Sequence, residues 1–320
     1  MSTHVKVRER LDDQEIADVL GVVEAATEGD RVRPLNEHVM LHLRYGGDPR
    51  ARSVLLYADG LVGYAHVDPT DEVEGPSGEL VIHPAHRGRG HGGELLRAVL
   101  DLAGGRLRLW AHGGHPGAEA LAASLGLARA RSLWQMRRSL YAPIPEATLP
   151  EGVTLRTFVP GQDEEAWLKV NAAAFAHHPE QGAWTLDDVS RREREPWFDP
   201  DGFFLAFRGD RLVGFHWTKI HGSDEHGHEP LGEVYVVGVD PSQQGTGLGK
   251  ALTLTGLEHL RSRGLAQAML YVDETNTAAI RLYESLGFAR WDVDVMYAAT
   301  PPPSAGRSTT EPPPEPQPGS

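Results

Sequence analysis

A long internal repeat constrains this chain more than any other feature of its sequence. Leu61-Val62-Gly63-Tyr64 recurs as Leu212-Val213-Gly214-Phe215, and Leu80-Val81-Ile82-His83-Pro84 as Val237-Gly238-Val239-Asp240-Pro241. Arg87-Gly88-Arg89-Gly90-His91-Gly92 recurs as Gln244-Gly245-Thr246-Gly247-Leu248-Gly249. Leu125-Gly126-Leu127-Ala128-Arg129 recurs as Leu286-Gly287-Phe288-Ala289-Arg290. One block alone could be coincidence. Four in the same order, offset by roughly 150 to 160 residues, point to duplication of a whole domain. The 320 residues are enough for two domains with a core each.

The two copies read alike. A helix is predicted at 14–27 and at 163–175. A hairpin follows at 54–66 and at 203–219, turned by Asp59-Gly60 and by Gly209-Asp210. A β-rich segment then enters a glycine-rich loop and a helix (92–102; 249–262), followed by a strand (106–110; 267–272), a second helix and a last strand. This pattern predicts a mixed α/β domain and excludes an all-parallel, doubly wound one. Pro143, Pro145 and Pro150 make 141–151 a short, stiff linker, so the expected domains are 1–142 and 152–300. The Pro-rich stretch 301–320 has little to bury and is expected to be a disordered tail.

Composition removes several function classes. Without cysteine there is no disulfide, thiolate metal site or cysteine nucleophile. A formal charge of −14 makes nucleic acid and anionic lipid poor partners. No apolar run reaches the roughly 20 residues of a membrane helix, and the charged residues 1–12 are no signal peptide. A cytoplasmic monomer is expected, with no membrane or nucleic-acid partner. The tract His221-Gly222-Ser223-Asp224-Glu225-His226-Gly227-His228 has no standard ligand spacing and reads as a polar loop, so no metal is expected.

The chemistry-bearing signal begins at Val236-Val237-Gly238-Val239-Asp240-Pro241 and continues through Gln244-Gly245-Thr246-Gly247-Leu248-Gly249-Lys250. A strand ends, glycines turn, and an apolar helix starts. Amides at such a helix start converge on an anion, and glycines let a pyrophosphate approach. The loop lacks P-loop spacing, and it sits mid-domain after a hairpin, where a Rossmann loop would open the domain. A second block follows: Asn276-Thr277-Ala278-Ala279-Ile280-Arg281-Leu282-Tyr283-Glu284-Ser285-Leu286-Gly287-Phe288, a helix capped by Gly287. Together these blocks resemble the GNAT acetyltransferase superfamily, in which [RQ]-x-x-G-x-[GA] binds the CoA pyrophosphate and N-x-x-A-x-x-x-Y-x-x-x-G-F lines the thioester. The resemblance implies two tandem GNAT domains, each a mostly antiparallel central sheet flanked by helices.

In the C-terminal copy, strict alternation from Glu233 would put Glu233, Tyr235, Val237 and Val239 on one strand face. Glu233 is a candidate general base for an ammonium substrate, equally readable as a solvated strand-end acid. Backbone amides near Val237 to Val239 would polarise the acetyl carbonyl. Tyr283 is a candidate acid for the leaving thiolate, since thiol and phenol pKa values, about 8.5 and 10, are close enough for transfer. Asn276 can cap its helix. The N-terminal copy keeps the loop but not these groups. Counting back from Gly126, Ala122 stands for Tyr283 and His115 for Asn276; counting from His83, Pro76 stands for Glu233. It is expected to bind a CoA-like ligand and to do little chemistry.

Pro34-Leu35-Asn36-Glu37, His178-Pro179-Glu180-Gln181-Gly182, Gly232-Glu233-Val234-Tyr235 and Leu270-Tyr271-Val272-Asp273 extend the likeness. Among tandem GNAT chains the sequence resembles the mycothiol synthase family, over nearly its whole length apart from the tail. That family acetylates the cysteinyl amine of 1D-myo-inositol 2-(L-cysteinylamino)-2-deoxy-α-D-glucopyranoside. The resemblance implies substrate contacts from Glu37, Glu180, Lys219, Glu233 and Tyr271. It implies one acetyl-CoA held by Val237, Gly238, Val239, Gln244, Gly245, Thr246, Gly247, Leu248, Gly249, Lys250, Asn276, Thr277, Ala278, Ala279, Ile280 and Arg281. It implies a second at Leu80, Val81, Ile82, Arg87, Gly88, Arg89, Gly90, His91, Gly92 and Gly93. Carboxylates suit a polyhydroxy, cationic substrate, although Glu37 and Glu180 alone read as ordinary surface acids and Lys219 as an exposed lysine. Two rival readings stay open: a GNAT enzyme for another amine, such as a protein N-terminus or an aminoglycoside, and a non-catalytic CoA-binding sensor.

Overall fold

The computed structural model describes residues 3–71, 74–176, 179–222 and 229–299. The expected tail at 301–320 and residues 223–228 of the histidine tract lie outside them, as does the side chain of Glu180. The N-terminal copy runs β1 (His4–Arg8), α1 (Asp13–Asp30), α2 (Glu37–Tyr45), β2 (Arg52–Tyr57), β3 (Leu61–Asp68), β4 (Ser77–Ile82), α3 (His91–Leu102), β5 (Arg108–Ala111), α4 (Pro116–Ser124) and β6 (Leu127–Ser139). The C-terminal copy runs β7 (Val153–Thr157), α5 (Glu164–Ala174), α6 (Pro179–Gly182), α7 (Leu186–Glu193), β8 (Phe203–Arg208), β9 (Arg211–His221), β10 (Leu231–Val239), α8 (Leu248–Ser262), β11 (Gln267–Asp273), α9 (Thr277–Ser285) and β12 (Ala289–Ala299).

Local chemistry accounts for most boundaries. Asp12 and Glu15 form a capping box at the start of α1. Asn36 caps α2, a helix absent from the sequence-based expectation, by accepting from the Val39 amide. Val39, Met40 and Leu43 of α2 then pack against Val19, Val23 and Tyr64. These apolar positions are too few, in nine residues, to announce a helix before its packing partner is known.

The strands form one twelve-stranded sheet in the order β1-β2-β3-β4-β5-β12-β6-β11-β10-β9-β8-β7. All neighbouring pairs are antiparallel except β4 with β5 and β10 with β11. The order is pseudosymmetric about the β12–β6 pair, and each copy's last strand crosses to the other. β12 lies between β5 and β6, and β6 lies between β12 and β11. The cores are exchanged accordingly. Met136 of β6 packs with Leu254, Leu257 and Leu270 of the C-terminal copy, and Val295 and Tyr297 of β12 pack with Leu95, Val99 and Leu109 of the N-terminal one.

His112, directly after β5, locks the exchanged strand in place. Its Nδ1 lies 2.7 Å from Asp294 Oδ2 on β12, and its Nε2 lies 3.3 Å from Glu79 Oε1 on β4. Burial opposes the imidazolium, but the Glu79 and Asp294 carboxylates outweigh it and hold His112 up at about 10. The folded value lies above the ordinary 6.5, so this contribution is complete below about pH 6.5 and is lost as pH rises toward 10. Wild-type thermal midpoints should therefore decline from about pH 7 to 10, and His112→Gln should flatten that decline. Parallel pH curves for the two proteins would refute the assignment.

Candidate active site

The site is opened by a single extra residue. β10 pairs with β11 only at Gly232–Ala268 and Glu233–Met269, and the strands then part. Against β9, the register of β10 shifts between Val234 and Val236, leaving Tyr235 as a β-bulge. The bulge corrects the expected alternation. Val234 and Val237 both join the cluster beneath α8, while Val236 packs on the opposite side with Trp167, Phe215 and Trp217. Glu233 and Tyr235 therefore do not share a face with Val237 and Val239, because one inserted residue inverts the period of two. In the N-terminal copy, β3 and β4 pair without a shift, and β4 stays joined to β5 through Glu79–Trp110. Register there makes Ser77, opposite Asp68, the counterpart of Glu233, opposite Lys219. This corrects Pro76 by one position, and the carboxylate is missing either way.

Beyond the bulge the chain turns through Gly245 (φ 77°) and Gly247 (φ 88°) into α8. Gly88 (φ 71°) and Gly90 (φ 87°) repeat the turn before α3. These left-handed values favour glycine. Neither Gly90 nor Gly247 offers a side-chain cap, so first-turn amides are left for an anion. A cavity of about 2640 Å³ runs from this turn into the space between the two copies. Val237, Gly238, Val239, Gln244, Gly245, Gly247, Leu248 and Gly249 line one wall of it, and Asn276, Ala278, Ala279 and Tyr283 another. Thr246, Lys250, Thr277 and Arg281 do not line it, and Ile280 is packed in the core. Leu80, Val81, Ile82 and the loop Arg87 to Gly93 do not line it either. The Arg87 guanidinium is held bidentate by Asp30 at 2.6 and 2.7 Å.

The inner chamber is polar. Glu233 is only 7% exposed, and His221 Nε2 lies 2.7 Å from its Oε2. Lys219, on the same strand face as His221, donates to Glu37 from the other copy, as does the Tyr235 hydroxyl. Arg192 donates to Tyr235 at 2.7 Å and lies over Trp184, and Lys219 lies over Trp197. Burial works against the Glu37 charge, but Lys219 and Arg192 outweigh it and hold the carboxyl below its ordinary range. Tyr271 accepts from Gln135 Nε2 at 2.9 Å, and Gln135 accepts from Arg137 Nε at 2.9 Å. Arg137 lies over Trp291, which is 64% exposed and is itself the extra residue of a bulge in β12. Burial pushes the Tyr283 phenol up to about 12 and keeps it protonated.

The Acetyltransferase (GNAT) family pattern matches residues 22–127 and 169–288, once per copy. The chain is 68% identical to a mycothiol acetyltransferase of Streptosporangium roseum, covering 93% of this chain and 99% of that one. It is 64% identical to that of Thermobispora bispora, again covering 93% and 99%. The chain belongs to the mycothiol acetyltransferase family of GNAT proteins. Members of the GNAT family draw acetyl groups from acetyl-CoA. Among solved structures, a tandem GNAT protein from the clavulanic acid biosynthesis pathway has a TM-score of 0.71 at 19% identity, covering 94% of this chain and 100% of that one. A GCN5-related N-acetyltransferase from Sphaerobacter thermophilus has a TM-score of 0.65 at 24% identity, covering 93% and 96%. Both share the fold.

Of the expected substrate residues in this family member, Glu37, Lys219, Glu233 and Tyr271 meet in the chamber. His221, Arg192, Tyr235, Gln135, Arg137 and Trp291 were not anticipated. His221 carried one usable signal, since it stands two residues after Lys219 and so on the same strand face. The others are gathered by the strand exchange and by α7. Glu37→Gln should cost on the order of 3 kcal/mol in chemical denaturation, because it leaves Lys219 buried and unpaired. The Glu37 carboxyl is depressed, so the loss should be full above about pH 5 and shrink as pH falls below 4.5. An unchanged denaturation midpoint at neutral pH would remove the Glu37–Lys219 pair as a brace between the copies.

Proposed function

We propose that this protein transfers acetyl from acetyl-CoA to the cysteinyl amine of 1D-myo-inositol 2-(L-cysteinylamino)-2-deoxy-α-D-glucopyranoside, giving mycothiol. The observation that carries the reading is Glu233, buried where β10 and β11 part, in a chain 68% identical to a named mycothiol acetyltransferase. Acetyl-CoA supplies the activated acetyl group. The free amides at the start of α8 receive its pyrophosphate, and the strand splay receives its thioester arm. Glu233, with His221 behind it, takes a proton from the substrate ammonium, directly or through water. The freed amine forms the new C–N bond as the C–S bond breaks. Amides at Val237 to Val239 stabilise charge on the carbonyl oxygen, and Tyr283 gives its proton to the departing sulfur and is restored by the second proton that the acylated nitrogen sheds through water.

The pseudo-disaccharide lies along the chamber floor, where Glu37 and Lys219 stand on one side and Tyr271, Gln135 and Arg137 on the other. Glu180 joins them on the family resemblance alone. Residues 152–300 form the catalytic domain. Residues 1–142 form a domain that contributes Glu37 and binds a CoA-like ligand without turnover; the left-handed Gly88 and Gly90 support binding, and the absence of a bulge and of a carboxylate at Ser77 supports inactivity. The Arg87–Asp30 pair means that the second site relies on backbone amides more than on the Arg87 side chain.

Incubation with acetyl-CoA and the cysteinyl-glucosaminyl-inositol, beside peptides and aminoglycosides, should add one acetyl to the cysteinyl amine well faster than to any competitor, as read by mass spectrometry. Preference for a peptide or an aminoglycoside would replace the substrate and keep the reaction. Bound CoA with no acetylated amine would favour a sensor. Glu233→Gln should retain CoA binding and lose about 10²- to 10⁴-fold in kcat, and Tyr283→Phe should lose kcat with little change in KM.

A further inference from the structure

Apart from the reacting groups, the cluster of His38, His42, His66 and Asp68 stands out among the described residues as chemically incomplete. His38 and His42 stand at i and i+4 of α2, and His66 and Asp68 at i and i+2 of β3, so each pair shares one face of its element. Donor atoms of His38, His66 and Asp68 all lie within 4.8 Å of one another. His38 Nε2 is 3.1 Å from Asp68 Oδ2, close to the spacing of about 3.4 Å between ligand atoms around a tetrahedral zinc ion. The His42 ring lies 4.6 Å from that of His66.

His66 is 1% exposed, and neither of its ring nitrogens has a hydrogen-bond partner among the described residues. A buried imidazole unpaired at both nitrogens is costly, and a cation accepting one lone pair removes part of that cost. Neutral imidazole is the form that ligates a metal. Asp68 Oδ1 accepts from the Thr70 amide at 2.8 Å, which fixes the carboxylate and leaves Oδ2 toward the histidines. His38, His66 and Asp68 also line the cavity between the copies, which gives an ion its path in.

We propose that His38, His66 and Asp68 bind one divalent transition-metal ion of the zinc class, with a water in the fourth position, tying α2 to β3. Two imidazoles and a carboxylate suit Zn²⁺ over Mg²⁺ or Ca²⁺, which prefer oxygen. The ion would brace α2 one residue from Glu37, and so steady the Glu37–Lys219 contact without touching the reacting atoms. This site stands independently of the substrate assigned above.

The test uses the full chain after chelator treatment, titrated with Zn²⁺ by calorimetry and with Co²⁺ by visible absorption, beside His38→Ala and Asp68→Asn. His38 is 52% exposed, so its truncation leaves the core intact. Wild type should take up one equivalent, give a tetrahedral Co²⁺ spectrum and melt higher with Zn²⁺. Each variant should bind more than about 100-fold more weakly and lose the thermal shift. No uptake by wild type would mean that a water or an unpaired ring occupies the site, and would overturn the proposal. So would uptake of equal strength in wild type and both variants, which would put the metal elsewhere on the chain.

Discussion

The pairing of β6 with β12 is the constraint on which the rest of this molecule depends. Each strand leaves its own copy and completes the other's sheet, so two repeats that could have been beads on a string become one continuous sheet. The exchange is anchored by apolar burial on both sides, through Met136 in one direction and Val295 with Tyr297 in the other. It also fixes distances across the interface that a flexible linker could not hold. Gln135 and Arg137, carried by β6, come to lie beside Tyr271, and Asp294, carried by β12, reaches His112.

Within that frame, one inserted residue distinguishes the strand geometry of the two copies. The bulge at Tyr235 turns Val237 toward α8, frees β10 from β11 and leaves Glu233 at the head of the opening. The N-terminal copy has the same turn and the same left-handed glycines, but its β4 runs straight and stays closed against β5 for longer. The glycine turn and the strand splay are thus set by different features of one motif, and the two copies share the first but not the second.

The N-terminal copy still shapes the site. Glu37 reaches across the interface to Lys219 and Tyr235, and Arg44 of the same helix pairs with Glu195 at 2.7 Å. A carboxylate in that position would be costly without cations, and Lys219 and Arg192 meet the need while being screened from water by Trp197 and Trp184. The chamber therefore sets paired carboxylates and cations against aromatic walls.

Much of this could be read in the amino-acid sequence because it is local. The duplication, the hairpins, the glycine turns and the helix after Asn276 all depend on neighbours a few residues apart. So do the spacing of Gln244 to Gly249 and that of Asn276 to Gly287, and these carried the family. The helix α2 was missed because its nine residues fold on contacts with Val19 and Tyr64, not on their own propensity. The shared face of Glu233 and Val237 was misjudged because a bulge is a property of two strands, invisible in one. Sequence by itself determined the repeat and the two GNAT loops, and it offered Glu233 and Tyr283 as candidates, since each is a short-range pattern of residue types. Tertiary structure alone decided which strands pair across the repeat, and therefore that Glu37, Gln135 and Arg137 stand at the same chamber as Glu233. Hydrogen bonding between strands more than a hundred residues apart leaves no local trace in either partner.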